Sequence, residues 1–210
     1  MRAVRAEWLD VGGAVEPWRR LGLTDVDGLL PLFGTGIRVL GDDRSGIVGW
    51  ALSGLDVAAL GPDASIDGLA TEVVEVPRPT LVEHRLGAFE LDHVVVSTDS
   101  LERTCGAIEA ATGAPLKRVR EVGEIRQGFH RLGGLVVEVV ERASQPAGPA
   151  SFWGFVLNVE DLDVAAAHLG PELIGTPKDA VQPGRRIATI RESAAGLGLP
   201  VALMTSHPRR

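Results

Sequence analysis

The sequence reads Leu91-Asp92-His93-Val94-Val95-Val96-Ser97-Thr98 near its middle, and this stretch decides the fold. Its run of β-branched residues predicts a strand. The run stops before Ser100, which is suited to cap a following helix. Residues 101–112 carry apolar side chains at helical spacing, and Gly113 is a typical helix end. The stretch therefore predicts a strand followed by a helix.

Three more strands are predicted directly after this helix. They cover residues 116–122, 125–132 and 135–141. Gly123 and the pair Gly133-Gly134 separate them, because glycine favours tight turns. The predicted order of elements is βαβββ.

A second copy of this order follows in the chain. Its predicted elements are a strand at 152–159, a helix at 161–169 and strands at 187–191 and 201–205. Aligning Thr98 with Val159 pairs the two first strands, and aligning Gly134 with Gly198 pairs the two last strands. The repeat predicts two structurally equivalent modules.

Residues 1–60 are predicted to form a third, degenerate βαβββ-like module. Its candidate elements are a strand near 4–9, a helix at 15–21 and strands near 29–33, 37–40 and 47–52. Residues 61–88 mix Gly, Pro and acidic residues around a strand candidate at 71–76. We interpret this segment as a connection between two parts of the chain.

The tandem βαβββ order, opened by Leu91-Asp92-His93 and closed by the 135–141 strand, resembles the vicinal oxygen chelate superfamily of glyoxalases, bleomycin resistance proteins and dioxygenases. The resemblance covers residues 89–207, with modules at 89–145 and 150–207, and the stretch 178–189 is similar to actinobacterial members. It implies an α+β fold in which the modules form one curved mixed sheet. One fold hosts many chemistries, so the function has to be inferred from the site.

In that family each module supplies a first-strand His or Gln and a last-strand Glu to a divalent metal. His93 and Glu138 occupy these positions in the first module, whereas the matching positions of the second are Gly154 and Ala202. One imidazole and one carboxylate hold a divalent ion weakly, because such sites generally need three or more protein ligands. We therefore expect no metal cofactor, with a bound divalent metal as the alternative. A third ligand could come from His130, Gln182, Glu7 or another chain.

His93 and Glu138 are also the candidate catalytic residues, since a histidine and a carboxylate on one cavity could act as an acid/base pair. Two alternatives remain. His93 could be a core side chain bonded to a backbone carbonyl, and Glu138 could face water on an edge strand.

Six further residues are candidates for ligand binding because they offer charged, amide or aromatic groups near the predicted cavity. They are Arg126, His130, Trp153, Gln182, Arg185 and Arg186. Each has a simpler alternative: solvent exposure for the first two, core packing for Trp153, and a charged Pro-Gly turn for the last three. Cys105 is interpreted as a small core residue and not as a nucleophile.

Composition narrows the partners. The formal charge of −7 makes nucleic acid an improbable partner, and no apolar run reaches the roughly 18 residues that a membrane span needs. The single cysteine fits a reducing compartment, so we expect a cytoplasmic protein. An open concave face in residues 1–60 could be covered by a second chain, which predicts a homodimer.

Three functions fit these observations. The first is a protein that binds a small organic molecule in the cavity of residues 89–207 without the full metal site. The alternative is a metal-dependent lyase, isomerase or ring-cleaving dioxygenase. Between them lies a metal-free enzyme with Glu138 as general base and Arg185 or Arg186 as the partner of an oxyanion.

Overall fold

The computed structural model describes residues 3–61, 63–75 and 81–206. The predicted end of the 71–76 strand and residue 207, the predicted end of the second module, lie outside them. The first part of the chain contains β1 (Arg5–Val11), α1 (Glu16–Arg20), β2 (Leu29–Leu30), β3 (Gly36–Val39), β4 (Ile47–Ser53), β5 (Ser65–Ile66) and β6 (Leu69–Val73). The second contains β7 (Ala88–Thr98), α2 (Leu101–Thr112), β8 (Arg118–Val122), β9 (Ile125–Leu132), β10 (Leu135–Arg142), β11 (Ser151–Val159), α3 (Leu162–Leu169), β12 (Lys178–Asp179), β13 (Arg186–Thr189), α4 (Glu192–Ala195) and β14 (Val201–Thr205).

The second part forms an eight-stranded sheet in the order β12-β13-β14-β11-β7-β10-β9-β8. Each half is a βαβββ module, so the predicted α+β fold with a curved mixed sheet is confirmed. The predicted helix caps are also present: the Ser100 side chain accepts a hydrogen bond from the amide of Arg103, and Gly113 has a φ of 68°. The structure adds the two-residue strand β12, which has no periodic signal in the sequence.

An approximate two-fold axis relates the halves of this sheet, passing between the antiparallel strands β7 and β11. Asp92 is an extra residue on β7 opposite Val156 and Leu157, and Trp153 is an extra residue on β11 opposite Val95 and Val96. These bulges fall at equivalent places in the two modules. The register therefore supports the pairing of His93 with Gly154, each of which directly follows a bulge.

The first sheet repeats this arrangement in shorter form, in the order β2-β3-β1-β4-β6-β5. β1 pairs with β3 in parallel and with β4 antiparallel, and β4 pairs with β6 in parallel. These pairings match those of β7 with β10, of β7 with β11, and of β11 with β14. The described residues between 5 and 73 thus form two shortened modules of three strands each, where the sequence predicts a single module, and the second has a 3-10 turn at Val57–Ala59 in place of a helix. β4 opens the second of them, and β5 and β6 continue this sheet within the range interpreted as a connection.

The strand register also shows that different residues occupy the face of the first sheet that is equivalent to the cavity face of the second. Trp8 follows the bulge residue Glu7 as His93 follows Asp92, and Arg38 stands where Glu138 stands in the second sheet. The Arg38 guanidinium lies 4.9 Å from the centre of the Trp8 ring. An aromatic ring and a guanidinium therefore fill this face of the first sheet.

Ion pairs extend across the same face, because Arg38 binds Asp10 at 2.6 Å and Glu72 at 2.7 Å. The face carries ion pairs and is not apolar, so it does not supply the apolar surface on which the homodimer prediction rests. The homodimer stays a prediction.

The opposite faces of both sheets contribute to one continuous cluster of buried apolar side chains. Aromatic contacts join them: Trp50 packs edge-on against Phe152 at 5.3 Å, and Trp18 stacks on Phe155 at 6.0 Å. The other face of the second sheet lines a cavity. Within the described part of the chain, no helix has the length and apolar character needed to span a membrane.

Candidate functional site

A cavity of about 810 Å³ lies in the curve of the second sheet. One side is formed by β7 to β10 and carries His93, Gln127 and Glu138. The other side comes from the second module and includes Ile187 and Met204. The first module therefore supplies the polar pair expected from the sequence, whereas the second supplies apolar side chains together with the polar residues Lys178, Asp179 and Gln182.

The bulge on β7 brings two polar side chains together. Neighbouring residues of a regular strand point to opposite faces, but the extra residue at Asp92 changes this alternation locally. As a result, the Asp92 carboxylate contacts the Nδ1 atom of His93 at 2.8 Å. A carboxylate on Nδ1 fixes the imidazole ring and leaves Nε2 as the atom that faces the cavity.

Asp92 is in turn held by Arg185, whose side chain is fully buried. The guanidinium donates to Asp92 at 2.8 Å, to the Asn158 side-chain oxygen at 2.6 Å and to the Thr205 carbonyl at 2.7 Å. Burial raises the pKa of Asp92, but hydrogen bonds and positive charge from His93 and Arg185 more than offset this, so the pKa lies well below its usual value. Asp92 is therefore a carboxylate throughout the physiological pH range.

The other ring nitrogen of His93 faces Glu138. Its Nε2 atom lies 3.5 Å from Glu138 Oε2, and Gln127 Nε2 donates to Glu138 Oε1 at 2.5 Å. The side chains of His93 and Glu138 are only 12% and 15% exposed. The pair can exchange a proton with a bound molecule, because both groups border the cavity and both are held by neighbours.

His93 and Glu138 by themselves are too few ligands for a divalent metal ion. The positions opposite His93 and Glu138 are Gly154 and Ala202, and a Cβ atom added at Gly154 would lie 2.4 Å from the carbonyl oxygen of Pro200. A coordinating side chain has no room there unless the backbone moves. Across residues 3–61, 63–75 and 81–206, no group of three or more His, Cys, Asp or Glu side chains is placed to hold a metal.

Among the candidate ligand-binding residues, Gln182 lines the cavity. Arg185 lies behind it, bound to Asp92, and is not positioned to meet an oxyanion directly. Arg186 points away and pairs with Asp163 at 2.6 Å on the surface. The Arg185 guanidinium, which was predicted to contact the ligand, thus binds Asp92 on the side away from the cavity.

The other three candidates lie elsewhere. Arg126 forms ion pairs with Glu102 and Glu141, away from the cavity lining. His130 is 1% exposed and contacts the Ala114 carbonyl through Nδ1. Trp153 is the bulge residue of β11 and is 49% exposed, so it neither lines the cavity nor packs in the core.

Several residues of the site were not among the candidates, including Asp92, Arg118, Arg120, Gln127 and Lys178. All except Asp92 line the cavity. Gln127 and Arg120 face each other across β8 and β9, as strand alternation allows. Asp92 gives no signal of its own, because nothing in the sequence shows that a bulge places it beside His93. Cys105 is buried in the core, as predicted, and burial raises the pKa of its thiol to about 11.

Two solved structures show how widely this architecture is shared. A mutant of 4-hydroxymandelate synthase from Streptomyces coelicolor is 14% identical, covers 98% of this chain and 93% of its own, and has a TM-score of 0.66. Methylmalonyl-CoA epimerase from Mycobacterium tuberculosis is 16% identical, covers 60% of this chain and 94% of its own, and has a TM-score of 0.51.

No protein-family model matches the sequence, and no curated protein matches it. At such low identity the structural likeness shows the fold and leaves the chemistry open. The match of 4-hydroxymandelate synthase extends over both sheets. On the strand order, the repeated register and these likenesses, the chain has the vicinal oxygen chelate fold.

Proposed function

We propose that the protein binds a small organic molecule in the cavity of the second sheet and does so without a metal ion. The observation that carries the proposal is the asymmetry of the site. His93 and Glu138 face a half in which Gly154 and Ala202 replace the possible ligands and in which Val156, Ala202 and Met204 form a buried apolar cluster.

The cavity suits such a ligand in size and lining. Small-molecule sites usually have about 300–1,000 Å³, with apolar walls and a few placed polar groups. This cavity, at about 810 Å³, offers Phe129, Ile187 and Met204 as apolar surface beside His93 and Gln127. An organic molecule can therefore bury an apolar body and still make hydrogen bonds.

A thermal-shift screen of small organic molecules, followed by calorimetric titration of the hits, tests this proposal. Thr189 lines the cavity and is exposed, so Thr189→Trp should fill the cavity and weaken binding at least tenfold. Thr176→Trp is the matched control, because Thr176 is exposed and does not line the cavity. If the compounds found in the screen bind Thr189→Trp as tightly as they bind the wild type, their binding site lies outside the cavity and the proposal is refuted.

A second candidate function is metal-free proton transfer on the bound molecule. It is favoured by the ordered contacts from Arg185 through Asp92 to His93, because a carboxylate on Nδ1 holds the imidazole ring in one orientation and leaves Nε2 toward the cavity. His93 and Glu138 would share the acid and base roles, while Asp92 acts as a positioning residue.

Solvent exchange tests this second function. A hit with an acidic C–H bond is incubated with the protein in heavy water, and deuterium incorporation is followed by NMR. We expect His93→Gln to lose exchange while it retains binding, and Asp92→Asn to slow exchange and alter its pH profile. Wild-type protein that binds such hits without any exchange would leave binding alone as the function.

A further inference from the structure

Three cationic side chains line the cavity. Arg118 and Arg120 alternate along β8, so both face inward, and Lys178 lies across the cavity on β12. Among the described residues none of the three has an ion-pair partner, whereas Arg126 at the end of the neighbouring strand pairs with carboxylates. These charges are therefore available to a ligand.

Arg118 is also held in place. Its guanidinium lies 5.0 Å from the centre of the Phe129 ring, which is itself part of the cavity wall. Stacking on an aromatic ring keeps the planar donor group oriented, and arginine forms paired hydrogen bonds with carboxylates and phosphates. The arrangement presents a preformed donor to an anionic group.

The balance of charge points the same way. The lining contains the three cations against two carboxylates, those of Glu138 and Asp179. The Glu138 carboxylate already contacts Gln127 and His93, as described above. The lining thus carries one more cation than carboxylate in a protein whose formal charge is −7, and such a local excess of positive charge favours anions at the site.

We infer that the ligand of the proposed binding function is an amphipathic organic anion. Its acidic group lies toward Arg118 and Arg120, and its apolar body lies across the cavity on the surface made by Ala180, Ile187 and Met204, beside Lys178. This orientation passes the middle of the molecule over His93 and Glu138. The inference rests on the proposed function, because it presumes that the cavity is the binding site.

Two fluorescent probes separate charge from shape. Anilinonaphthalene sulfonate is an anion, and phenylnaphthylamine has the same ring system without the sulfonate. We expect the wild type to bind the anionic probe about tenfold more tightly, and its affinity to fall as salt is raised. Arg118→Gln/Arg120→Gln should lose about tenfold in affinity for the anion and little for the neutral probe.

A control with the same loss of charge is Arg19→Gln/Arg44→Gln, since both arginines are exposed and lie outside the cavity lining. It should bind both probes as the wild type does. Competition by naphthoate and by naphthyl phosphate then distinguishes a carboxylate from a phosphate ligand, and competition by neither would overturn the inference.

The outcomes also separate the two proposals. Equal binding of both probes, unchanged in the double variant but weakened by Thr189→Trp, would overturn the anion inference and leave the binding function intact. Binding of both probes that Thr189→Trp does not weaken, or no binding at all, would remove the proposed function and the inference with it.

Discussion

Replacing Arg185 by methionine tests the buried charge network that holds His93. Arg185 has a fully buried side chain, and the Asp92 side chain it neutralises is 10% exposed. Arg185→Met keeps the apolar bulk of the side chain but removes a cation that donates to Asp92, Asn158 and the backbone of Thr205. The variant leaves a largely desolvated carboxylate that still contacts His93 and Asn158.

Removing one partner of a buried ion pair typically costs about 3–5 kcal/mol. We therefore expect Arg185→Met to lower the free energy of unfolding by this amount near neutral pH. For a chain of this size each kcal/mol shifts Tm by roughly 2–4 °C, so the expected loss is about 6–20 °C. Arg186→Met is the matched control, because its pair with Asp163 is on the surface and should contribute less than about 1 kcal/mol.

The acid dependence of stability has a defined sign. The pKa of Asp92 is lowered in the folded protein from its ordinary value of 3.8. Its contribution is therefore complete above pH 3.8 and is lost as the pH falls below that value toward the folded pKa. The Arg185→Met variant should show a weaker loss of stability in acid than the wild type.

Urea unfolding followed by circular dichroism, repeated between about pH 2 and pH 5, measures both effects. The double variant Arg185→Met/Asp92→Asn should regain most of the lost stability, because it removes both charges. A loss below about 1 kcal/mol in Arg185→Met, or no recovery in the double variant, would refute the account of Arg185 as the anchor of Asp92.

Three further outcomes are expected. Gly154→Ala should lower the free energy of unfolding in urea by about 1–3 kcal/mol, because the added Cβ would overlap a backbone oxygen. Gly106→Ala, on the open face of α2, should raise it by up to about 1 kcal/mol. Equal effects of the two substitutions would contradict the close approach at Gly154. Elemental analysis of protein incubated with Mn, Fe, Ni or Zn should show well under one metal ion per chain, both in the wild type and in His93→Ala/Glu138→Ala. Stoichiometric metal in the wild type alone would instead support the alternative of a metal-dependent enzyme. Cys105 should resist iodoacetamide in the folded protein and react after denaturation, since burial raises its pKa to about 11, and fast native labelling would contradict its core position.

Much of the second sheet was predictable from local pattern. The β-branched stretch 91–98, the cap at Ser100 and the glycine turns each act over a few residues, so the sequence displays them directly. The repeat gave the equivalence of His93 with Gly154 and of Glu138 with Ala202, and the strand register agrees with both. The first sheet was harder, because β2 and β5 have two residues each and carry no periodic signal.

The candidate site was predicted only in part. His93 and Glu138, which the family pattern indicates, and Gln182, which lies in a Pro-Gly turn, line the cavity. Arg185 was expected to face the ligand, but it lies behind the cavity because Asp92 and Asn158 bind it there. Which side of a polar segment faces inward depends on partners distant in sequence.

The sequence by itself determined the two modules of the second sheet, their order and the two polar residues that one module keeps and the other lacks. Only the tertiary structure decided that Asp92 stands beside His93, that Trp8 and Arg38 fill the equivalent face of the first sheet, and that Arg118, Arg120 and Lys178 share one cavity. The physical reason is that strand and helix signals arise from neighbouring residues, whereas bulges, register and a common cavity arise when strands far apart in the chain pair with each other.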